Sequence, residues 1–99
     1  MKVVVEGHTY LLRNFESGEE TQQLQFIHKE SKDDDSGAMF TVNDGTTNEE
    51  LIEVLINRMN YLQNKFSCRE NAIVITKLEE ALMWLNKRTN DRKKRGVGS

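Results

Sequence analysis

Arg88 and Arg92 stand one helical turn apart, and Arg95 can continue the same row. Two planar guanidinium forks at that spacing suit a diphosphate, because arginine grips phosphate oxygens bidentately. Tyr61 supplies a flat ring on which a base can stack. Asn71 offers both a donor and an acceptor to a base edge or a sugar hydroxyl. These four residues, Tyr61, Asn71, Arg88 and Arg92, are the candidate ligand site. A plainer reading of the basic segment stands beside it. Lys87, Arg88, Arg92, Lys93, Lys94 and Arg95 also fit a helix C-terminus favoured by the macrodipole, with a frayed solubilising tail.

Catalytic chemistry has little to stand on. The chain holds no phosphate loop, no dinucleotide glycine fingerprint and no nucleophile elbow. His8 falls in a hairpin turn and His28 on a strand, neither with a partner at metal-ligand spacing. Cys68 stands alone and reads as a small buried side chain rather than a reactive thiol. Asp33, Asp34 and Asp35 read as a solvated acidic loop. No enzyme, metal site or cofactor is expected. A signal hydrolase using Glu70 or Glu79 as base is the weakest of the readings.

Composition narrows the partners. At 99 residues the chain is expected to form one domain, 1–99, with a modest core. Lys and Arg number 14 against 16 Asp and Glu, a net charge of −2. Proteins that coat nucleic acid are usually basic overall. A small nucleic-acid-binding regulator that uses only the basic C-terminal end is therefore the alternative, not the lead. One cysteine excludes an internal disulfide framework and suits a reducing cytoplasm. No apolar run is long enough to span a bilayer, and the N-terminal valines are too few for a signal peptide. A soluble cytoplasmic protein with no membrane partner is expected.

Two periods divide the elements that must carry these residues. Residues 2–43 alternate as strands: 2–6 and 9–15 around Gly7-His8, then 23–29, then 38–43. Gly7 is expected at the first position of a two-residue turn. Four such strands make an antiparallel meander with one face seeking cover. From residue 46 the period lengthens to that of helices. Thr47 with Glu50 is a capping box opening a helix over about 48–65, with Leu51, Leu55, Met59 and Leu62 as its apolar stripe. Ser67 with Glu70 is a second box, opening a helix to about Arg92 with Ala72, Ile75, Leu78, Leu82 and Leu85 on one face. Phe66 and Ser67 alone join the two, so they fold into an antiparallel hairpin. The fold class is thus α+β: a β-rich part over 1–45 and a helical hairpin over 46–95.

The second helix is apolar on more than one side. Ile73, Val74, Ala81, Met83 and Trp84 lie off the main stripe. Self-association covers them, or the sheet covers them within one chain; the first is preferred. Geometry favours it too. Tyr61 and Asn71 lie near the turn of the hairpin, with Arg88 and Arg92 more than about 20 Å further along. One hairpin cannot set all four on a small ligand. A second copy packed head to tail can.

Several motifs carry a family resemblance. Residues 68–85, CysArgGluAsnAlaIleValIleThrLysLeuGluGluAlaLeuMetTrpLeu, closely resemble the hairpin of phage-encoded sponges that neutralise bacterial immune signals. ArgMetAsnTyrLeuGln at 58–63, SerCysArgGluAsn at 67–71, ValAsnAspGlyThrThrAsnGluGlu at 42–50 and LysArgThrAsnAspArgLysLysArgGlyVal at 87–97 are similar to the first-described Thoeris anti-defence branch. The related anti-CBASS sponges share the hairpin but lack this β-rich half. The resemblance implies sequestration, without degradation, of glycocyclic ADP-ribose in the cytoplasm of the infected host. For some members it also implies binding of cyclic di- or trinucleotides, in a dimer or hexamer. Carried over by position, Tyr61 stacks the adenine where relatives often have phenylalanine. Asn71 bonds the base or ribose, and Arg88 and Arg92 clamp the phosphates.

Overall fold

The computed structural model describes residues 1–32 and 37–96, which group into two compact units, Met1–Thr47 and Asn48–Ser99. The acidic run Asp33, Asp34 and Asp35 lies outside the described residues.

In the first unit β1 (Lys2–Val5), β2 (Thr9–Arg13) and β3 (Glu20–Gln25) form an antiparallel sheet in that order, and β4 (His28–Ser31) pairs with β5 (Met39–Asn43) in a second sheet. The expected four-strand meander is thereby corrected to five strands in two sheets. The run 23–29 does not continue as one strand because its backbone changes partners midway. Phe26 N donates to His8 O at 2.8 Å, Ile27 N donates to Thr46 O, and Thr46 N donates to Gln25 O, each at 2.9 Å. Residues 44–46 therefore cross the chain where β3 ends. Gly45 makes the crossing possible. A Cβ there would sit 2.5 Å from the Gln25 carbonyl oxygen and 2.7 Å from the Phe26 carbonyl carbon, closer than real carbons approach. The β1–β2 turn also differs in detail. His8 N donates to Val5 O at 2.9 Å, so Gly7, at φ +80°, fills the second central position rather than the first.

Polar and aromatic pairs hold this unit together. Thr9, the one buried residue among those described, donates its hydroxyl to Gln25 Oε1 at 2.6 Å. Tyr10 and Phe26 meet edge to face, with centroids 6.0 Å apart. His8 and His28, unrelated in the sequence, stack at 3.6 Å with planes 7° apart. The register of β2 against β3 brings Phe26 N to His8 O, and the imidazoles follow.

The second unit is the hairpin. Helix α1 (Asn48–Lys65) begins directly after Thr47, with Glu49 and Glu50 in the first turn, where the macrodipole favours them. Helix α2 (Arg69–Lys94) runs 26 residues, roughly 39 Å at the helical rise. Its cap is Cys68, not Ser67. Cys68 holds the extended backbone of a cap at φ −150° and ψ 160°, and its Sγ accepts from Asn71 N at 3.5 Å. Cys68 is exposed rather than buried. Gln63 then clamps the connection. Cys68 N donates to Gln63 Oε1, and Gln63 Nε2 donates to Cys68 O, both at 3.1 Å. This two-way bond fixes the turn that sequence periodicity could only locate.

The half-buried residues of the hairpin include Leu51, Ile52, Ile56, Met59 and Leu62 of α1 and Asn71, Ile75, Leu78, Leu82 and Leu85 of α2. Ala72 and Leu55, expected on the inner stripes, are exposed. Thr89 Oγ1 donates to Glu49 Oε1 at 3.1 Å, which sets the register of the two helices. With Thr89 level with the first turn of α1, Arg92 and its basic neighbours project beyond it. The expected overhang is present.

No apolar side chain among the described residues is buried. Ile73, Val74, Met83 and Trp84 of α2 are 41–58% exposed. Two helices can shield only the faces they turn to each other, so the remaining sides of α2 stay open.

Candidate functional site

Arg88 is exposed and Arg92 half-buried near the end of α2. Ion pairs of this unit include Lys77–Glu80 at 4.0 Å and Lys87–Asp91 at 3.1 Å. Among the described residues neither Arg88 nor Arg92 has a carboxylate partner. Four residues of separation put both guanidinium groups on one side of α2. Two such forks on a rigid helix, Arg88 level with the first turn of α1 and Arg92 past it, make a cationic surface able to hold phosphate oxygens bidentately.

Tyr61 and Asn71 lie at the other end of the hairpin. Tyr61 exposes 54% of its surface, and Lys65 Nζ stands 4.9 Å from the ring centroid. That ammonium places a cation beside one face of the stacking surface. Asn71 is half-buried on the inner line of α2, and its backbone N donates to the Cys68 cap. The amide side chain has no hydrogen bond among the described residues. Tyr61 and Asn71 share an end of the hairpin but not a face: Tyr61 points away from α2, whereas Asn71 lies toward α1. From Asn71 to Arg88 and Arg92 the helical rise covers roughly 25–32 Å. A single hairpin therefore sets Tyr61 and Asn71 at one end, on different faces, and the two arginines at the other.

The hairpin also carries a groove of about 1000 Å³, floored by Ile56, Leu82 and Met83 and edged by the amides of Asn57, Asn86 and Asn90. None of the four candidates lines it. The sequence did contain a signal for it, since Asn86 and Asn90 recur at i and i+4 on a helix whose neighbouring positions are charged. Apolar periodicity alone passes over such a row. The exposed Phe66 of the connection, 83% accessible, likewise escaped a reading based on spacing.

Comparison with known proteins adds two findings. The family model described as the Acb2/Tad1 hairpin domain matches residues 20–90. The chain is also similar to Thoeris anti-defense 1 of Bacillus phage SBSphiJ7, at 65% identity over 54 residues, 54% of this chain and 38% of that relative. The chain thus spans under two fifths of the length of the curated relative it matches.

Proposed function

The chain belongs to the Acb2/Tad1 hairpin-domain family, and from that premise we propose that it is a phage immune-evasion sponge. It binds glycocyclic ADP-ribose, the signal of Thoeris defence, and withholds it without cleaving it. The relative named for Thoeris anti-defence supports the target system. The observation that carries the reading is the pair of unpaired arginines, Arg88 and Arg92, on a helix whose far end offers Asn71 and Tyr61.

The two ends of the hairpin complete each other in an antiparallel pair of α2 helices. Asn71 and Arg92 are equidistant from a point near Ala81. A two-fold axis there lays Arg92 of one copy level with Glu70–Asn71 of the other, and Arg88 level with Val74. Val74, Ala81 and Trp84 share this side of α2, are exposed, and include a small residue at the crossing point. Their burial supplies the apolar contact that a lone chain lacks. Tyr61 receives the base on the outer side of α1, at the same end.

Sequestration by mass action demands affinity near the nanomolar range, about −12 kcal/mol. Two charge-assisted phosphate clamps contribute roughly 1.5–3 kcal/mol each, and a stacked base about 1–3. The test is direct. Purified protein should deplete glycocyclic ADP-ribose from solution, and heating the complex should return it intact; recovery of cleaved product would replace the sponge with a hydrolase. The basic end of α2 also admits the nucleic-acid reading, whose mark is retention on duplex DNA with steep salt dependence. A net charge of −2 weighs against it.

A further inference from the structure

Helix α1 changes character near its middle. Its acids, Glu49, Glu50 and Glu53, all fall in the first two turns, and residues 54–65 hold none. On that second half Val54, Arg58, Tyr61 and Lys65 recur at intervals of four, three and four, which sets them on one side of the helix. All four are exposed, Val54 by 58% and Tyr61 by 54%. The row reads apolar, cation, aromatic, cation. Among the described residues neither Arg58 nor Lys65 forms an ion pair. The macrodipole accounts for Lys65 in the last turn, but its influence fades before Arg58, almost two turns earlier.

The ring at the centre of this row has one side already taken. Lys65 Nζ stands 4.9 Å from the Tyr61 centroid, and helical side chains lean toward the N-terminus, so this ammonium reaches back from the bend onto the ring. The opposite side of the ring is turned along the helix toward Arg58 and Val54. A base stacked there rests against Val54, and Arg58 is the cation within reach of the phosphate that the base carries. We infer that Arg58 and Lys65 belong to the ligand site: Arg58 binds a phosphate of the nucleotide whose base stacks on Tyr61, and Lys65 positions the ring by holding its other face. This assignment rests on the sponge reading, which supplies glycocyclic ADP-ribose as the occupant, and adds two residues to the pair Arg88 and Arg92. It also meets a need of the geometry. Tyr61 points away from α2, so the arginines of its own α2 cannot accompany the base, whereas Arg58 shares its side of α1. Charge complementarity selects the occupant. An anionic ligand with a flat base matches a ring between two cations, whereas an apolar partner would leave both charges uncompensated.

Calorimetric titration of the full chain with glycocyclic ADP-ribose tests this, with the thermal midpoint as the folding control. Arg58→Gln keeps much of the length, removes the charge and should weaken binding by about tenfold. Arg58→Lys restores a cation and should recover most of the loss. Lys65→Gln should weaken binding by roughly two- to fivefold, the scale of an exposed cation–π contact. Lys29→Gln, which removes one positive charge from the strand unit, should bind as the wild type does. Proton spectra give a second readout. At saturation the Tyr61 ring resonances should shift, while those of Tyr10, packed edge to face on Phe26, stay in place. Arg58→Gln and Lys65→Gln chains that bind as tightly as the wild type would overturn the assignment and leave the sponge standing. An unmoved Tyr61 ring at saturation would overturn it too, as would a Lys29→Gln loss equal to that of Arg58→Gln. A lower thermal midpoint in Arg58→Gln, unrelieved by Arg58→Lys, would make Arg58 structural and have the same result. If the wild type itself takes up no glycocyclic ADP-ribose, the sponge reading fails, and this assignment with it.

Discussion

The two units of this chain solve the same shortage of buried apolar surface differently. The strand unit closes on itself through directional contacts: Thr9 to Gln25, Tyr10 against Phe26, His8 on His28, and the crossing of residues 44–46 over Gln25 and Phe26. The hairpin spends its polar bonds on its own geometry, at Gln63–Cys68 and Thr89–Glu49, and leaves its arginines and one apolar side of α2 without partners. The strand unit finds partners for its polar and aromatic groups within itself, although Val3, Val4, Val5, Phe15 and Phe40 stay exposed. The hairpin, with its unpaired cations and open apolar sides, is complete only with something added, here a ligand and further copies of itself.

Breaking the unfinished end should have the largest effect. Arg88→Ala or Arg92→Ala should weaken binding of glycocyclic ADP-ribose by roughly 10- to 150-fold, matching about 1.5–3 kcal/mol for one charged clamp. Calorimetric titration reads the loss, and the thermal midpoint should stay near that of the wild type. A large fall in stability would make those arginines structural and erase the contrast between the units.

The strand unit offers the reverse case. Gly45→Ala forces a methyl group against the backbone of Gln25 and Phe26. About 1–3 kcal/mol of stability should be lost, visible as a lower thermal midpoint, because backbone cannot move aside as a flexible side chain would. An unchanged midpoint would show that the crossing is slack.

Stacking sharpens the comparison inside the hairpin. Tyr61→Ala should weaken ligand binding by roughly tenfold, within the 1–3 kcal/mol of one stacked base, whereas Tyr61→Phe should hardly alter it. Equal damage from both would assign the role to the hydroxyl instead. The smallest effect is expected at the cap. Cys68→Ser replaces a weak acceptor with a strong one facing Asn71 N and should raise stability by about 0.5–1 kcal/mol, measured by chemical denaturation. A loss there would mean that the thiol does more than cap α2.

Legibility differed between the units for the same reason. Helix period, the acidic first turn of α1 and the short link after Phe66 made the hairpin readable, because i to i+4 bonding is local and its signals are close in sequence. Ser67 and Glu70 fit a capping box, but a serine and a glutamate three apart mark a cap only statistically, and the cap is Cys68. Cys68 won through the Gln63 clamp, which joins residues five apart through a side chain. The strand unit was less readable. Strand alternation suggested four strands but could not show that the run 23–29 breaks at Phe26, since the break is caused by Gly45 and Thr46, some twenty residues later in the chain.

What the amino-acid order determined by itself was everything written in short spacing: α+β class, two helices of unequal length, and a basic end to α2 whose last turns, from Arg92 on, overhang α1. Tertiary structure alone decided the split into two sheets, the stacking of His8 on His28, the exposure of Cys68 and the amide-lined groove. Each of these depends on groups far apart in the chain meeting in space. Local propensity carries no record of such meetings, whereas hydrogen-bond satisfaction and steric exclusion around a residue such as Gly45 fix them only once the chain has folded.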